Sequence, residues 1–280
     1  MAAGEKELVS LLESGDHEMI NAFSGKYIDL LRKYYYIGGM PEAVLTYIET
    51  DDLAEVREVQ KQLLLYYAND FSKHAPKETV PRIQMVWDSI PMQLAKENRK
   101  FIYGALREGA RAKEFEMAIQ WLLDCGLIHK SRRVEKPGMP LISYMDMSAF
   151  KIYMLDVGLL AAKGNIAAAV LLEKNAIFSE FKGALTEQFV AQELAAAGME
   201  LYYYSASGSS GEVDFIVQVE DRAIPVEVKA EENLQAKSLR ALVAKYGLKD
   251  AVRTSMSNYR VQDWMVNVPL FEVSGYLRKI

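Results

Sequence analysis

Apolar positions recur at steps of three and four along the first two thirds of the chain, and the last third breaks into short apolar runs that alternate with polar residues. Val9, Leu11 and Leu12, then Tyr27, Leu30, Leu31 and Tyr34, predict amphipathic helices. Gly38-Gly39-Met40-Pro41 interrupts the pattern, and Pro41 is placed to open a helix over residues 42–48. A long helix is predicted over 52–73 on the stripe Val56, Val59, Leu63, Tyr66 and Phe71, and another over 80–96, entered through Pro81. The Met and Tyr residues in these stripes are core packing.

Residues 112–160 change character. Phe115, Ile119, Leu122 and Leu123 form one helical face that ends at Gly126, a C-cap glycine. A strand over 127–134, a turn at Lys136-Pro137-Gly138-Met139-Pro140, and further strand-like runs at 141–144 and 151–155 follow. Helix, strand, turn, strand is the order of a winged helix, here about residues 96–160. Arg132, Arg133 and Lys136 then fall on the wing, where phosphate contacts are commonly made. Arg107 and Arg111 belong to a second basic stretch with Lys96, Arg99, Lys100 and Lys113, diluted by Glu97, Glu108 and Glu114. Both stretches are candidate DNA contacts, and both also fit an ordinary solvated face.

Beyond a boundary between residues 164 and 178, a helix over 178–197 is followed by strands over 201–204, 211–219 and 223–230. A helix over 235–246 and apolar runs at 251–256 and 268–273 complete the chain. Helices interleaved with strands predict a separate α/β domain. The expected class is therefore α+β, mixed, with a helical and winged-helix region over 1–165 and an α/β domain over 166–280.

Composition narrows the function. The 280 residues are half hydrophobic, and 33 Lys and Arg against 38 Asp and Glu leave a formal charge of −5, which argues against a chain that coats nucleic acid everywhere. A single cysteine, Cys125, and three separated histidines (His17, His74 and His129) leave no disulfide framework and no thiolate or imidazole metal cluster, and fit a cytoplasmic location. No stretch approaches the roughly 18 to 20 apolar residues that cross a bilayer, and the first ten residues lack a signal-peptide core.

The candidate chemistry lies in the predicted hairpin. Alternation in Gly211-Glu212-Val213-Asp214-Phe215-Ile216-Val217 puts Glu212 and Asp214 on one face, and Ile224-Pro225-Val226-Glu227-Val228-Lys229 likewise pairs Glu227 with Lys229. A two-residue loop at Glu220-Asp221 sets Asp214 opposite Glu227. A four-residue loop sets Asp214 opposite Lys229, and a three-residue loop sends the groups to opposite faces. Directly opposed carboxylates repel unless a cation lies between them. Glu187 sits on a helix stripe of Gly183, Ala184, Val190, Ala191 and Leu194, so it is expected to be partly buried and to need a cation or donors.

An acid on a helix, an Asp on a strand, and Glu-x-Lys on the next strand resemble the PD-(D/E)XK nuclease superfamily, with Glu187, Asp214, Glu227 and Lys229 at the matching positions. That resemblance implies a nuclease-like fold. It further implies Mg²⁺ or Mn²⁺ on Asp214 and Glu227 with Glu187 in support, and Lys229 orienting a hydrolytic water. A longer resemblance rests on Tyr36-Ile37-Gly38-Gly39-Met40-Pro41-Glu42-Ala43-Val44, on Lys151-Ile152-Tyr153-Met154-Leu155-Asp156-Val157-Gly158-Leu159-Leu160, and on Phe181-Lys182-Gly183-Ala184-Leu185-Thr186-Glu187-Gln188-Phe189-Val190, together with the two hairpin strands. These strings resemble the prokaryotic family of AAA-type ATP-binding proteins, in which a P-loop ATPase domain normally precedes this segment. The P-loop pattern itself is missing: Ser24-Gly25-Lys26-Tyr27 lacks the first Gly and the hydroxyl. ATP binding by these residues is not expected, and the chain is expected to be a fragment or a split gene product. Three readings follow: a Mg²⁺-dependent nuclease placed on DNA by the winged helix, a non-catalytic nucleic-acid or protein recognition module that keeps the nuclease fold, or an ATPase accessory. In the accessory, Asp214 and Glu227 pair with Lys229, and Glu187 pairs with a nearby Lys or Arg.

Overall fold

The computed structural model describes residues 5–96, 99–172, 179–206, 211–230 and 235–280; Glu97 and Phe178 lie outside the described residues. The helical first part runs α1 (Lys6–Ser14), α2 (His17–Ala22), α3 (Ser24–Ile37), α4 (Pro41–Thr50), α5 (Leu53–His74) and α6 (Val80–Leu94). Local chemistry sets the ends. The Asp16 carboxylate accepts the Met19 N–H at 3.1 Å and opens α2, Pro41 starts α4, and the Asp52 carboxylate accepts the Ala54 N–H at 2.7 Å and opens α5. Next come α7 (Ala112–Asp124), which closes on Gly126 at φ 68°, and β1 (Ile128–Val134). The run at 141–144 forms a 3₁₀ turn after Pro140 rather than a strand, and one continuous strand, β2 (Met145–Met154), replaces the two short runs expected.

The remainder is α8 (Val157–Lys163), α9 (Ala168–Leu172), α10 (Ser179–Ala196), β3 (Tyr202–Ser205), β4 (Glu212–Val219), β5 (Arg222–Val228), α11 (Lys237–Tyr246), β6 (Val252–Ser255), β7 (Arg260–Val261), β8 (Val266–Pro269) and α12 (Val273–Leu277). The apolar run at 268–273 is thus part strand and part helix, because the chain turns at Pro269 into a 3₁₀ turn over Leu270–Glu272. The class is mixed α+β. The eight strands form one sheet in the order β2-β1-β3-β4-β5-β6-β8-β7. Within it β1–β3, β5–β6 and β6–β8 are parallel, and β3–β4, β4–β5 and β7–β8 are antiparallel. No helix among the described residues is long and apolar enough to cross a membrane.

The chain divides into two compact units built from separated segments. The first unit comprises residues 1–31, 131–149 and 189–280, and the second 32–130 and 150–188. In the first, Tyr202, Tyr204, Val213 and Ile216 of the sheet, with Ala251 just before β6, pack with Leu239 and Leu242 of α11. In the second, the fully buried Phe71 meets the fully buried Trp87 and the part-buried Trp121 edge-on, at centroid separations of 5.9 and 5.5 Å.

Two of the family-like strings meet inside the second unit. The Asp156 carboxylate caps α8 through the Leu159 N–H at 2.9 Å and also accepts the Gly39 N–H at 2.7 Å. Gly38 has φ 73° and lies so close to that carboxylate that no side chain fits. A Cβ on Gly158 would stand 2.6 Å from the Ile37 carbonyl and the Gly38 nitrogen. From α5, Gln60 donates to the Tyr36 and Ile37 carbonyls at 2.7 and 2.9 Å, and the Arg57 guanidinium lies 4.1 Å from the Tyr36 ring centroid. Gly38, Gly39 and Gly158 are therefore close-approach residues. Gly158→Ala forces backbone against backbone and should lower stability by about 2–3 kcal/mol, read as a fall in the urea midpoint at unchanged slope.

Candidate functional site

In the first unit, β4 and β5 pair as the two-residue loop requires, from Val219 opposite Arg222 to Phe215 opposite Val226. Glu220 takes φ 52° in the turn. The β4–β5 pairing ends at Phe215 and Val226, with Asp214 and Glu227 next beyond it on the two strands. Asp214 itself turns to the backbone, its Oδ2 accepting the Val228 N–H at 2.8 Å at the end of the ladder. This is a structural reason for an Asp amid strand hydrophobics. Against β3 the register shifts between Tyr202 and Tyr204, so β4 carries a bulge between Val213 and Ile216. Val213 and Ile216 consequently join one core cluster, which strict alternation would forbid. Pro225 is tolerated in an inner strand because the ladder to β6 begins only at Val226.

Glu227 is 6 % exposed, and its Oε1 accepts from the Lys229 ammonium at 2.6 Å. The β5–β6 register places Glu227 beside Arg253, and the β6–β8 register places Arg253 beside Asn267. Arg253 Nε donates to Asn267 Oδ1 at 2.8 Å, Ser255 Oγ donates to the same oxygen at 2.9 Å, and Asn267 Nδ2 holds the Ser257 and Asn258 carbonyls. This buried polar row continues the face on which Ala223, Ala251 and Met265 join the α11 core. Sequence reasoning missed it; the signal was an Arg and an Asn inside apolar strand runs.

Glu187 belongs to the second unit, and its surroundings are of another kind. The carboxylate is 1 % exposed and takes an ion pair from Arg99, an ion pair from Lys151 at 3.0 Å, and a hydrogen bond from the Tyr153 hydroxyl. Lys151 is itself fully buried. Arg99, held at φ 49°, reaches the carboxylate past Gly183, where a Cβ would stand 2.9 Å from its Nη2. The neighbouring Gln188 amide clamps the Met154 backbone in both directions, at 2.8 and 2.7 Å. Burial pushes the Glu187 carboxyl up, but Arg99, Lys151 and Tyr153 outweigh it and pull it down to about 2. The expectation that Glu187 would be buried against a cation holds. Arg99, Lys151 and Tyr153 were not predicted as its partners.

These partners decide how the expected metal ligands fit. With both oxygens engaged by cations and a hydroxyl, Glu187 does not fit as support for a Mg²⁺ shell. Among the described residues, no group of three or more His, Cys, Asp or Glu is arranged to hold a metal ion.

The candidate DNA contacts divide between the units. In the first, Arg133 pairs with Asp146 at 2.9 Å and donates to the Ser205 carbonyl, Lys136 lies 4.4 Å from the Tyr144 ring centroid, and Arg132 is part-buried on β1. In the second, Arg107 is ion-paired with Glu114, which also accepts the exposed Arg111 N–H. Much of the positive charge counted on in the sequence is therefore already matched.

Residues 28–169 match the family described as Domain of unknown function (DUF8612), which covers half of the chain. The chain belongs to the DUF8612 family. Its residues 182–272 match a second family, Domain of unknown function (DUF4143), a domain often found in AAA-ATPase-associated proteins. No curated protein and no solved structure matches this DUF8612 member. Glu187, Asp214, Glu227 and Lys229 fall in the DUF4143 match, while Lys151, Tyr153 and Arg99 fall in the DUF8612 match.

Glu187 is depressed in the folded state from its ordinary 4.5 to about 2, so its stabilisation is present above pH 4.5 and drains away as pH falls toward 2. Glu187→Gln should cost about 3–5 kcal/mol at neutral pH by stranding the buried Lys151. The gap to wild type should narrow below pH 4.5, as read from urea midpoints across that range.

Proposed function

We propose that this chain is a non-catalytic recognition and regulatory module that works with an AAA-type ATPase and keeps a PD-(D/E)XK nuclease-like domain, preceded by a winged helix, as its scaffold. The observation that carries the reading is the internal pairing of its carboxylates: Glu187 with Arg99 and Lys151, and Glu227 with Lys229. A hydrolytic centre needs carboxylates that are open to a cation and to a phosphodiester, whereas closed pairs suit a scaffold. The DUF4143 match supports the association with an ATPase, and ATP itself is assigned to that partner rather than to this chain. The pairing of Arg107 and Arg133 supports a protein partner over DNA.

The position of Asp214 and Glu227 just beyond the last β4–β5 pair favours one other reading, a Mg²⁺-dependent phosphodiester hydrolase with Lys229 beside the scissile group. Calorimetric titration of Mn²⁺ into the purified chain and into Asp214→Ala separates the two. Two flat titrations are expected. A saturable heat in the wild type that vanishes in the variant would replace the proposal with the hydrolase. Fluorescence anisotropy with a short DNA duplex at low salt should show only weak binding. A tight affinity that falls steeply with salt and drops in Arg132→Ala would move recognition to nucleic acid.

A further inference from the structure

Helix α11 packs Leu239 and Leu242 into the core of the first unit and turns its other side outward. That outer face is made of Lys237, Arg240, Ala241, Ala244 and Lys245, all exposed, and the exposed Lys249 follows just past the end of the helix. From residue 235 to residue 249 the chain has four cations and no Asp or Glu. Exposed helix faces ordinarily carry both signs, with Glu or Asp three or four residues from Lys. Lys61 and Lys73 on α5 keep that rule, paired with Glu58 at 2.7 Å and with Asp70 at 3.4 Å. The four cations of 237–249 have no ion-pair partner among the described residues. The acid that follows them, Asp250, is taken by Arg222 at 3.1 Å.

Aromatic rings hold two of these cations in place. The Arg240 guanidinium lies 5.8 Å from the Trp264 ring centroid, and the Lys245 ammonium lies 5.0 Å from the Tyr246 centroid and 3.4 Å from the Tyr204 hydroxyl. Tyr204 lies in the core cluster under the helix, Tyr246 packs against it, and the two rings meet edge-on at 6.0 Å. Side chains already positioned give up less rotamer freedom when a partner binds. Between the cations, Ala241 and Ala244 keep the helix surface low, so that an incoming backbone can come close. Lys237 and Lys245 stand about 12 Å apart along the axis, about two turns of a facing helix.

We propose that the outer face of α11 is a docking surface for an acidic helical segment of a partner protein, with Lys237, Arg240, Lys245 and Lys249 pairing its carboxylates across the alanine floor. Such docking rests on the protein-recognition role proposed above and gives that role a face and a partner of stated charge. Charge selects the occupant. A guanidinium and three ammoniums without carboxylates of their own complement a run of Glu or Asp. A nucleic-acid duplex presents the same sign, but its field extends along its whole length, and a chain of formal charge −5 works against it. A short acidic segment answers chiefly to charges within about 10 Å.

Carbodiimide coupling of the full chain to a labelled helical peptide, with Glu at every fourth position of an alanine background, reads the site directly. Mass spectrometry should find the amide cross-links on Lys237, Lys245 and Lys249 in preference to Lys61 and Lys73, and this map needs no variant. In fluorescence anisotropy at low salt the same peptide should bind, and its twin with Gln for Glu should not. Lys237→Glu/Arg240→Glu/Lys245→Glu should weaken binding about tenfold. Lys61→Glu/Lys73→Glu/Lys77→Glu, the same change in charge on exposed residues of the second unit, should leave it unaltered. A cooperative urea transition marks both variants as folded. No binding of the Glu peptide, cross-links spread evenly over the lysines, or equal loss in the two variants overturns the docking face and leaves the recognition role standing. A short DNA duplex that binds more tightly than the peptide and is released by the α11 variant overturns both.

Discussion

A carboxylate at 1 % exposure holds its charge only if the fold brings it cations, and the arrangement of the second unit follows from meeting that demand at Glu187. Lys151 comes from 36 residues away and Arg99 from 88, so strand β2, helix α10 and the turn before residue 101 have to be in place together. The left-handed backbone at Arg99, the bare Gly183 and the buried Tyr153 all belong to the same solution. The Gln188 amide, gripping the Met154 backbone, fixes the rotation of α10 that aims Glu187 at its partners.

The family-like strings take on a common meaning from this. Asp156 and Gly158 join the second string to the first, at Gly38 and Gly39. Lys151, Tyr153 and Met154 join the second to the third, at Glu187 and Gln188. Each string supplies one part of a buried polar joint. Substituting any one part leaves an orphaned charge, an unfilled carbonyl or a backbone collision, and all three are costly in a medium without water. The resemblance that pointed toward chemistry is, in the second unit, largely a resemblance of assembly.

The first unit spends the same residue types differently. Asp214 closes the end of a ladder through the Val228 N–H, and Glu227 finds its cation two residues on, just past the end of β5. Beside them, Arg253, Ser255 and Asn267 extend a polar row across the parallel part of the sheet, tied down by the carbonyls of the loop that follows β6. A row of this kind in a sheet core fixes register, because a slip by one residue would turn every one of its groups into the opposite face.

The sequence by itself determined what depends on neighbours in the chain. The helices up to residue 94, α2 excepted, follow from apolar periodicity and from Pro41 and Pro81. The hairpin follows from alternation, while the choice among two-, three- and four-residue loops came from the structure, and the burial of Glu187 follows from the small-residue stripe around it. Where chain-local signals conflicted, the reading failed: residues 141–144 are apolar enough for a strand but sit behind Pro140, and Val213 and Ile216 share a core only because of a bulge. Tertiary structure alone decided the partners of each charge, placing Lys151 and Arg99 on Glu187 and leaving Lys229 to Glu227, and it gathered residues 1–31 with 189–280 in one unit. Periodicity reports which face of an element is buried. Which charge waits on the facing element is set by long-range packing, and no local pattern encodes it.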